Sequence, residues 1–397
     1  MDTITHGIAG ALIGKAIFRG EDMFASLPIN RGRIITWSLM LGAIFPDSDV
    51  FRDIFSRDPL LVITWHRSIT HSLVMLPLWV LLLAAVTRAF ANSRKWEAPS
   101  FMALGAIYAV GILSHIVLDL VTSFGTMIWS PLAWSRPAWD FVFIVDFTLT
   151  AIFLVPQLLA WAYSRPEGAK PRAVGMWLVF LPAPWLIARI GQLVGAPISN
   201  KVILSAMLIL AALFLLPALR GWGLKIRDVS WNRAGFVAAL CYVACTVYAH
   251  HATYARIQKF AELGHLQVES IGALPLPPSL WHWDGLVRTG RGVYELRMDL
   301  SDKAASDTEL LTREHHYYPD AYPNSYIDAA RRLPEVQKVL WFARFPVTYF
   351  HKESDVAVVE ISDIRFVQTR RDRPAPFTYR VRFGPDGNVL SQGWVKR

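Results

Sequence analysis

Long apolar stretches separated by short basic loops fill the first 255 residues. Six of them reach or approach the roughly 20 residues that a spanning helix needs: 69–90, 101–121, 141–163, 173–193, 201–219 and 234–254. Two shorter ones come first, 3–18 and 34–46. These are short for full spans and are expected to end in buried polar structure or to insert halfway. The pattern changes after residue 255. Leu274-Pro275-Leu276-Pro277-Pro278 reads as a stiff linker. Strand-like runs follow at 292–300, 355–367, 376–384 and 388–395. In Tyr379-Arg380-Val381-Arg382-Phe383 apolar and basic residues alternate with period two, as in a half-buried strand. Pro385-Asp386-Gly387-Asn388 marks a hairpin turn. Residues 324–343 read as helical with a break at Pro334. The expected fold is a membrane α-helical bundle of about eight hydrophobic helices, the first two short, then a small soluble α+β domain on an antiparallel sheet. The expected domains are a metal-site membrane domain over 1–150, further transmembrane helices over 151–255, and an extracytoplasmic α+β domain over 256–397.

Charge sharpens this division. Residues 1–255 hold 20 Lys/Arg and 13 Asp/Glu, against 20 and 18 in the much shorter 256–397. The excess positive charge therefore sits in the membrane part, where basic loops meet anionic lipid. A nucleic-acid partner would need a basic stripe on the soluble part, and none is expected. Arg88, Arg94 and Lys95 crowd one loop; Arg165, Lys170 and Arg172 a second; Arg220, Lys225, Arg227 and Arg233 a third. The loops between them are poor in basic residues. The positive-inside rule makes the basic loops cytoplasmic, with Arg19, Arg31 and Arg33 on the same side. The protein is then expected in the cytoplasmic (inner) membrane with its C-terminal domain outside. The only cysteines, Cys241 and Cys245, lie four apart on one apolar stretch, a geometry unsuited to a disulfide.

Ionisable groups inside spans are costly, which makes each a functional candidate. Here they cluster. His6 opens the first stretch; Asp47 and Asp49 end the second; His66, Arg67 and His71 open the next; His115 and Asp119 end the one after; Asp140 and Asp146 open the following one. In the expected topology all of these lie at the outer ends of their helices. His115 and Asp119, at i and i+4, share a helix face and can hold one ion. Imidazole with carboxylate suits zinc, manganese or iron(II). A divalent cation would also explain how aspartates stay ionised at the edge of a low-dielectric slab. Arg67 is placed to stabilise a charged oxygen of a substrate. His250 and His251 read as interfacial, and His315 and His316 as surface residues.

These words, in this order, resemble the YdjM family of predicted membrane-bound metal-dependent hydrolases over residues 1–150. They are Thr5-His6 with Gly7 and Gly10, Pro46-Asp47-Ser48-Asp49, His66-Arg67-Ser68-Ile69-Thr70-His71-Ser72, His115-x-x-x-Asp119-x-x-Thr122-x-x-Gly125, Pro131, and Asp140 to Asp146. The order of ligands is also similar to that of zinc-dependent phospholipase C and P1-type nucleases. Their additional HxxxH…HxxxE set is missing, so one or two metal ions are expected, zinc first. The resemblance implies hydrolysis and leaves the substrate open.

The expected function is metal-assisted hydrolysis of an amphipathic ester, a lipid phosphoester by preference, at the outer membrane interface. The expected ligands are His6, one of Asp47 and Asp49, His66, His115 and Asp119, with His71 either a further ligand or a residue that orients one. Asp47 or Asp49, whichever is not a ligand, would act as general base and Arg67 as a substrate-facing cation. Thr70, Thr122, Asp140 and Asp146 would orient these groups. The competing expectation is a non-enzymatic transporter or scaffold with a structural metal or a polar network. The lack of His-Glu-x-x-His excludes an intramembrane zinc protease of that type, the Gly-x-Ser-x-Gly esterase elbow is absent, and with no Walker-type or dinucleotide glycine motif those folds are unsupported.

Overall fold

A computed structural model describes residues 1–18, 29–56, 58–193, 198–277, 279–300, 315–366 and 375–395. Arg19 and Pro278 lie outside the described residues. The chain divides into two compact units, one of residues 1–48, 67–139 and 144–245, the other of 49–66, 140–143 and 246–397.

The first unit is helical. α1 (Thr3–Ile17) begins where the Asp2 side chain accepts the Thr5 backbone N–H at 2.9 Å. It packs on α2 (Ile29–Ile44), and α2 packs on a later helix, Phe101–Leu120. Small residues set these approaches. A Cβ added at Gly10 would sit 2.7 Å from the Ala43 Cβ and 2.8 Å from the Leu39 carbonyl oxygen. One added at Gly111 would sit 2.9 Å from that same carbonyl and 3.0 Å from the Gly42 Cα. Close backbone approach of this kind lets short helices associate in lipid through packing alone.

Five helices among the described residues are long and apolar enough to cross a membrane. They are α3 (Leu76–Ser93), α4 (Phe101–Leu120), α6 (Ala169–Gln192), α7 (Asn200–Leu219) and α8 (Asp228–Leu263), with the shorter apolar α5 (Phe147–Ala162) between α4 and α6. The expected count of about eight is not supported. α1, α2 and α5 have only 15, 16 and 16 residues. The stretch expected to span from 141 starts at Phe147 because Asp146 caps it, accepting the Thr148 and Leu149 N–H groups at 2.8 and 3.0 Å. The stretch expected from 69 starts at Leu76, since the backbone before it is committed elsewhere, Leu73 N–H donating to the Ile128 carbonyl at 2.9 Å.

The second unit contains two four-stranded antiparallel sheets, ordered β1-β2-β3-β4 and β5-β6-β7-β8. The strands are β1 (Val268–Leu276), β2 (His282–Thr289), β3 (Gly292–Asp299), β4 (His315–Pro319), β5 (Pro346–Glu353), β6 (Val356–Asp363), β7 (Thr378–Phe383) and β8 (Val389–Trp394). Between β4 and β5 lie α9 (Ser325–Arg332) and α10 (Pro334–Phe342), with the break at Pro334. One face of the first sheet buries Trp283, Val287, Leu296 and Met298 against Ile257, Phe260 and Ala261 of α8. The other buries Leu286 and Val293 against Phe345 and Val347. The expected linker at 274–278 is instead largely strand: Pro275 pairs with Trp283 in β1, an edge strand, where a missing N–H is tolerated. Trp283 is fully buried and Trp281 exposed. Asp140 belongs to this unit and is gripped by Arg344, with Nη1–Oδ1 at 3.0 Å and Nη2–Oδ2 at 2.8 Å. Cys241 and Cys245 are free thiols.

Candidate metal centre

Three separate segments of the first unit meet at one point. α2 runs into a 3₁₀ turn, Phe45–Val50, that presents Asp47. A second 3₁₀ turn, Ile69–His71, presents His71. The last turns of α4 present His115 and Asp119. One donor atom from each of these four residues lies within 4.8 Å of all the others. His71 Nε2 and His115 Nε2 are 3.0 Å apart. Both are 3.3 Å from Asp119 Oδ2, and they are 3.7 and 3.5 Å from Asp47 Oδ1. All four residues are buried.

The donor chemistry fits a divalent cation. The Ala43 carbonyl lies 2.6 Å from His115 Nδ1 and can only accept, so that nitrogen carries the proton and the Nε2 lone pair points into the cluster. Asp119 Oδ2 is buried and has no hydrogen-bond partner among the described residues. Five of the six donor separations, 3.0–3.7 Å, bracket the roughly 3.3 Å edge of a tetrahedron with metal–ligand bonds of about 2.0 Å, and the sixth, between Asp47 and Asp119, lies within 4.8 Å. Two imidazoles and two carboxylates can hold zinc, manganese or iron(II).

Around the four stands a supporting layer. Arg67 is buried, and its Nη2 lies 2.8 Å from Asp119 Oδ1. Its Nη1 donates to Thr122 Oγ1 at 3.0 Å, and Thr122 donates to the Asp119 carbonyl at 2.8 Å. The Met1 amino group also contacts Asp119 Oδ1. Thr3 donates to Asp47 Oδ2 at 2.6 Å, which leaves Oδ1 for the cluster. Burial would push the Asp47 carboxyl up, but its contact with His71, the neighbouring His115 and the Thr3 hydroxyl hold it below the ordinary carboxylate range. Thr70 Oγ1 meets His71 Nδ1 at 3.1 Å. His6 is buried, its ring stacked on His115 with centroids 3.6 Å apart and Nε2 3.3 Å from Asp119 Oδ1.

The remaining candidates sit elsewhere. Asp49 and His66 belong to the second unit and pair with each other, Nδ1 to Oδ1 at 3.0 Å. Asp146 caps α5 and accepts the Tyr242 hydroxyl at 2.6 Å. Asp140 is held by Arg344. In the second unit His250 is half-buried against Phe141 and Trp283, and His315 is exposed. Sequence reasoning missed the Met1 amine, the Thr3 hydroxyl and the Ala43 carbonyl. Only Thr3, two residues ahead of Thr5-His6, could have been suspected.

Comparison with known families falls on the same part of the chain. Residues 1–192 match the family model described as YdjM inner membrane protein. The match covers the first 192 of 397 residues, and it is this stretch that is similar to the YdjM family. No curated protein and no solved structure matches the chain. The YdjM region holds all four cluster residues together with Arg67, Thr122 and His6, and with its apolar helices it makes this a membrane protein. The two sheets lie beyond the match.

Proposed function

We propose that the protein is a membrane-bound metal-dependent hydrolase that cleaves an amphipathic ester, a lipid phosphoester by preference, at the outer membrane interface, with its C-terminal domain outside. The observation that supports this most is the convergence of Asp47, His71, His115 and Asp119 from three segments onto one point. A bound divalent cation, zinc first, supplies Lewis acidity and lowers the pKa of water from about 15.7 towards 7. The chain's own residues do the rest. The Ala43 carbonyl keeps the His115 proton on Nδ1 and its lone pair inward. Arg67 and the Met1 amine bear on Asp119 Oδ1, leaving Oδ2 to the cluster. Arg67 thereby serves as a positioning residue, its guanidinium engaged by Asp119 and Thr122. The phosphoester preference rests on the phospholipase-like order of ligands along the sequence.

A structural metal is the second reading. It is favoured by the closure of the cluster: four protein donors, all buried, resemble structural sites more than catalytic ones, which keep a position open. One experiment separates the two. Protein purified in detergent is stripped with a chelator, reloaded with zinc or manganese, and assayed on lipid phosphoesters beside His115→Ala and Asp119→Ala. Hydrolysis that vanishes on stripping, returns on reloading and is missing in both variants supports the hydrolase. Stripping that lowers the melting temperature of a wild-type protein without hydrolytic activity supports the structural metal.

A further inference from the structure

The segment after α4 has an unusual surface. Between Met127 and Trp139 the only charged residue is Arg136, and it folds back, its guanidinium 4.7 Å from the Phe124 ring centre and donating to the Gly125 carbonyl. The tip, 131–135, is exposed throughout: Leu132 is 80% exposed, and Trp129, Trp134 and Trp139 are each more than 40% exposed. Loops in water are usually polar, and an uncharged tip of this kind marks an interaction surface. Part of the tip's backbone is satisfied internally. Leu132 and Ala133 N–H both donate to the Trp129 carbonyl, at 2.9 and 3.1 Å, and Ser130 N–H donates to the Met127 carbonyl at 3.1 Å. The tip follows the candidate span α4 in the chain, whose Leu113 and Val117 are also exposed.

The loop is fastened to the candidate centre. Met127 N–H donates to the Arg67 carbonyl at 2.8 Å, Leu73 N–H to the Ile128 carbonyl at 2.9 Å, and Trp139 N–H to the Leu120 carbonyl at 2.8 Å. These bonds tie it to the segment that carries Arg67 and His71 and to the end of the helix that carries Asp119.

We propose that the loop from Trp129 to Trp139 is an interfacial anchor: its tryptophans and Leu132 sit in a lipid surface and fix the metal centre at headgroup depth, so that the group acted on comes from the leaflet and not from water. The lipid-derived substrate rests on the hydrolase reading; the anchor does not. Trp favours the bilayer–water boundary, and Leu132 at the tip supplies the deeper contact.

Spin-label depth measurement tests this. In full-length protein with Cys241→Ala and Cys245→Ala, a nitroxide is placed at Leu132→Cys, and separately at Ser135→Cys should the first variant misfold. A control label goes at Asp355→Cys in the β5–β6 turn. The protein is reconstituted into phosphatidylcholine–phosphatidylglycerol nanodiscs. Collision with oxygen is compared with collision with nickel ethylenediaminediacetate. The anchor predicts that oxygen dominates at the loop label and the nickel chelate at the control, a reversal of sign in the depth parameter. Nickel dominance at the loop equal to that of the control overturns the anchor, whatever the enzyme assay gives. Absent hydrolysis beside a lipid-immersed label would instead count against the hydrolase reading alone.

Discussion

Arg67→Met offers a quantitative probe of the centre, because it removes one of the two cations beside Asp119 and leaves all four converging residues in place. Arg67 has a backbone φ of 63°, uncommon for a residue with a side chain, and methionine inherits that strain unchanged. What is lost is a buried guanidinium 2.8 Å from Asp119 Oδ1, with its hydrogen bond to Thr122. With charge centres about 4 Å apart and an effective dielectric near 20, the attraction is roughly 4 kcal/mol. Breaking a buried pair from one side costs a similar amount, about 3–5 kcal/mol. Metal-free Arg67→Met should therefore melt well below metal-free wild type. A divalent cation at the centre faces the same carboxylate from its other oxygen, so it should recover part of that loss. At a hundredfold excess over its dissociation constant a ligand contributes about 2.7 kcal/mol. The metal-induced rise in melting temperature should thus be larger in the variant than in wild type, because wild-type Asp119 has both the Arg67 guanidinium and the Met1 amine on Oδ1 and the variant keeps only the amine. The assay is thermal melting in detergent with chelator, then with added zinc or manganese. Equal melting of the two metal-free proteins, or a variant that gains nothing from metal, would refute the coupling between Arg67 and the centre.

Two further outcomes follow from the packing and the second unit. Gly111→Ala should destabilise the bundle by about 1–3 kcal/mol and weaken metal binding, since its methyl would meet the backbone of Leu39 and Gly42 and force α2 away from α4; wild-type stability and metal content in that variant would contradict the close approach. In the second unit, burial and then the charge of Glu295 push the Asp284 carboxyl well up. A carboxyl raised on folding favours the fold at low pH, and that contribution is lost as pH climbs from about 3.9 through the raised value. Asp284→Asn should therefore be more stable than wild type near pH 8, with the gain shrinking towards pH 4; a gain that does not change with pH would contradict this.

How much of the centre could be read from the sequence depended on local geometry. His115 and Asp119 were legible because the i, i+4 relation on a helix fixes their shared face before any tertiary contact forms. Asp47 and Asp49 could not be separated in the same way. They lie on a 3₁₀ turn, where successive residues rotate by about 120°, so two residues apart they point to different sides. Only Asp47 joins the four, while Asp49 pairs with His66. His71 and the Ala43 carbonyl depend on how α2, α4 and the 127–139 loop pack, which no local period encodes. The strands divide along similar lines. β7 alternates buried and half-buried residues and was legible, whereas β2 is buried on both faces and shows no alternation. Spans were overcounted where capping shortened the helix, as at Asp146, a signal that hydrophobicity alone does not carry.

Metal content, with its location, is the most direct measurement. Protein purified without chelator, and loaded with zinc after stripping, should bind one or two equivalents, with an X-ray absorption spectrum showing mixed nitrogen and oxygen ligands near 2.0–2.1 Å. His71→Ala and Asp119→Asn should each lose that metal, and Asp140→Asn should keep it. Wild-type protein that takes up no ion, or variants of His71 and Asp119 that retain the wild-type content, would contradict a metal centre built from these residues.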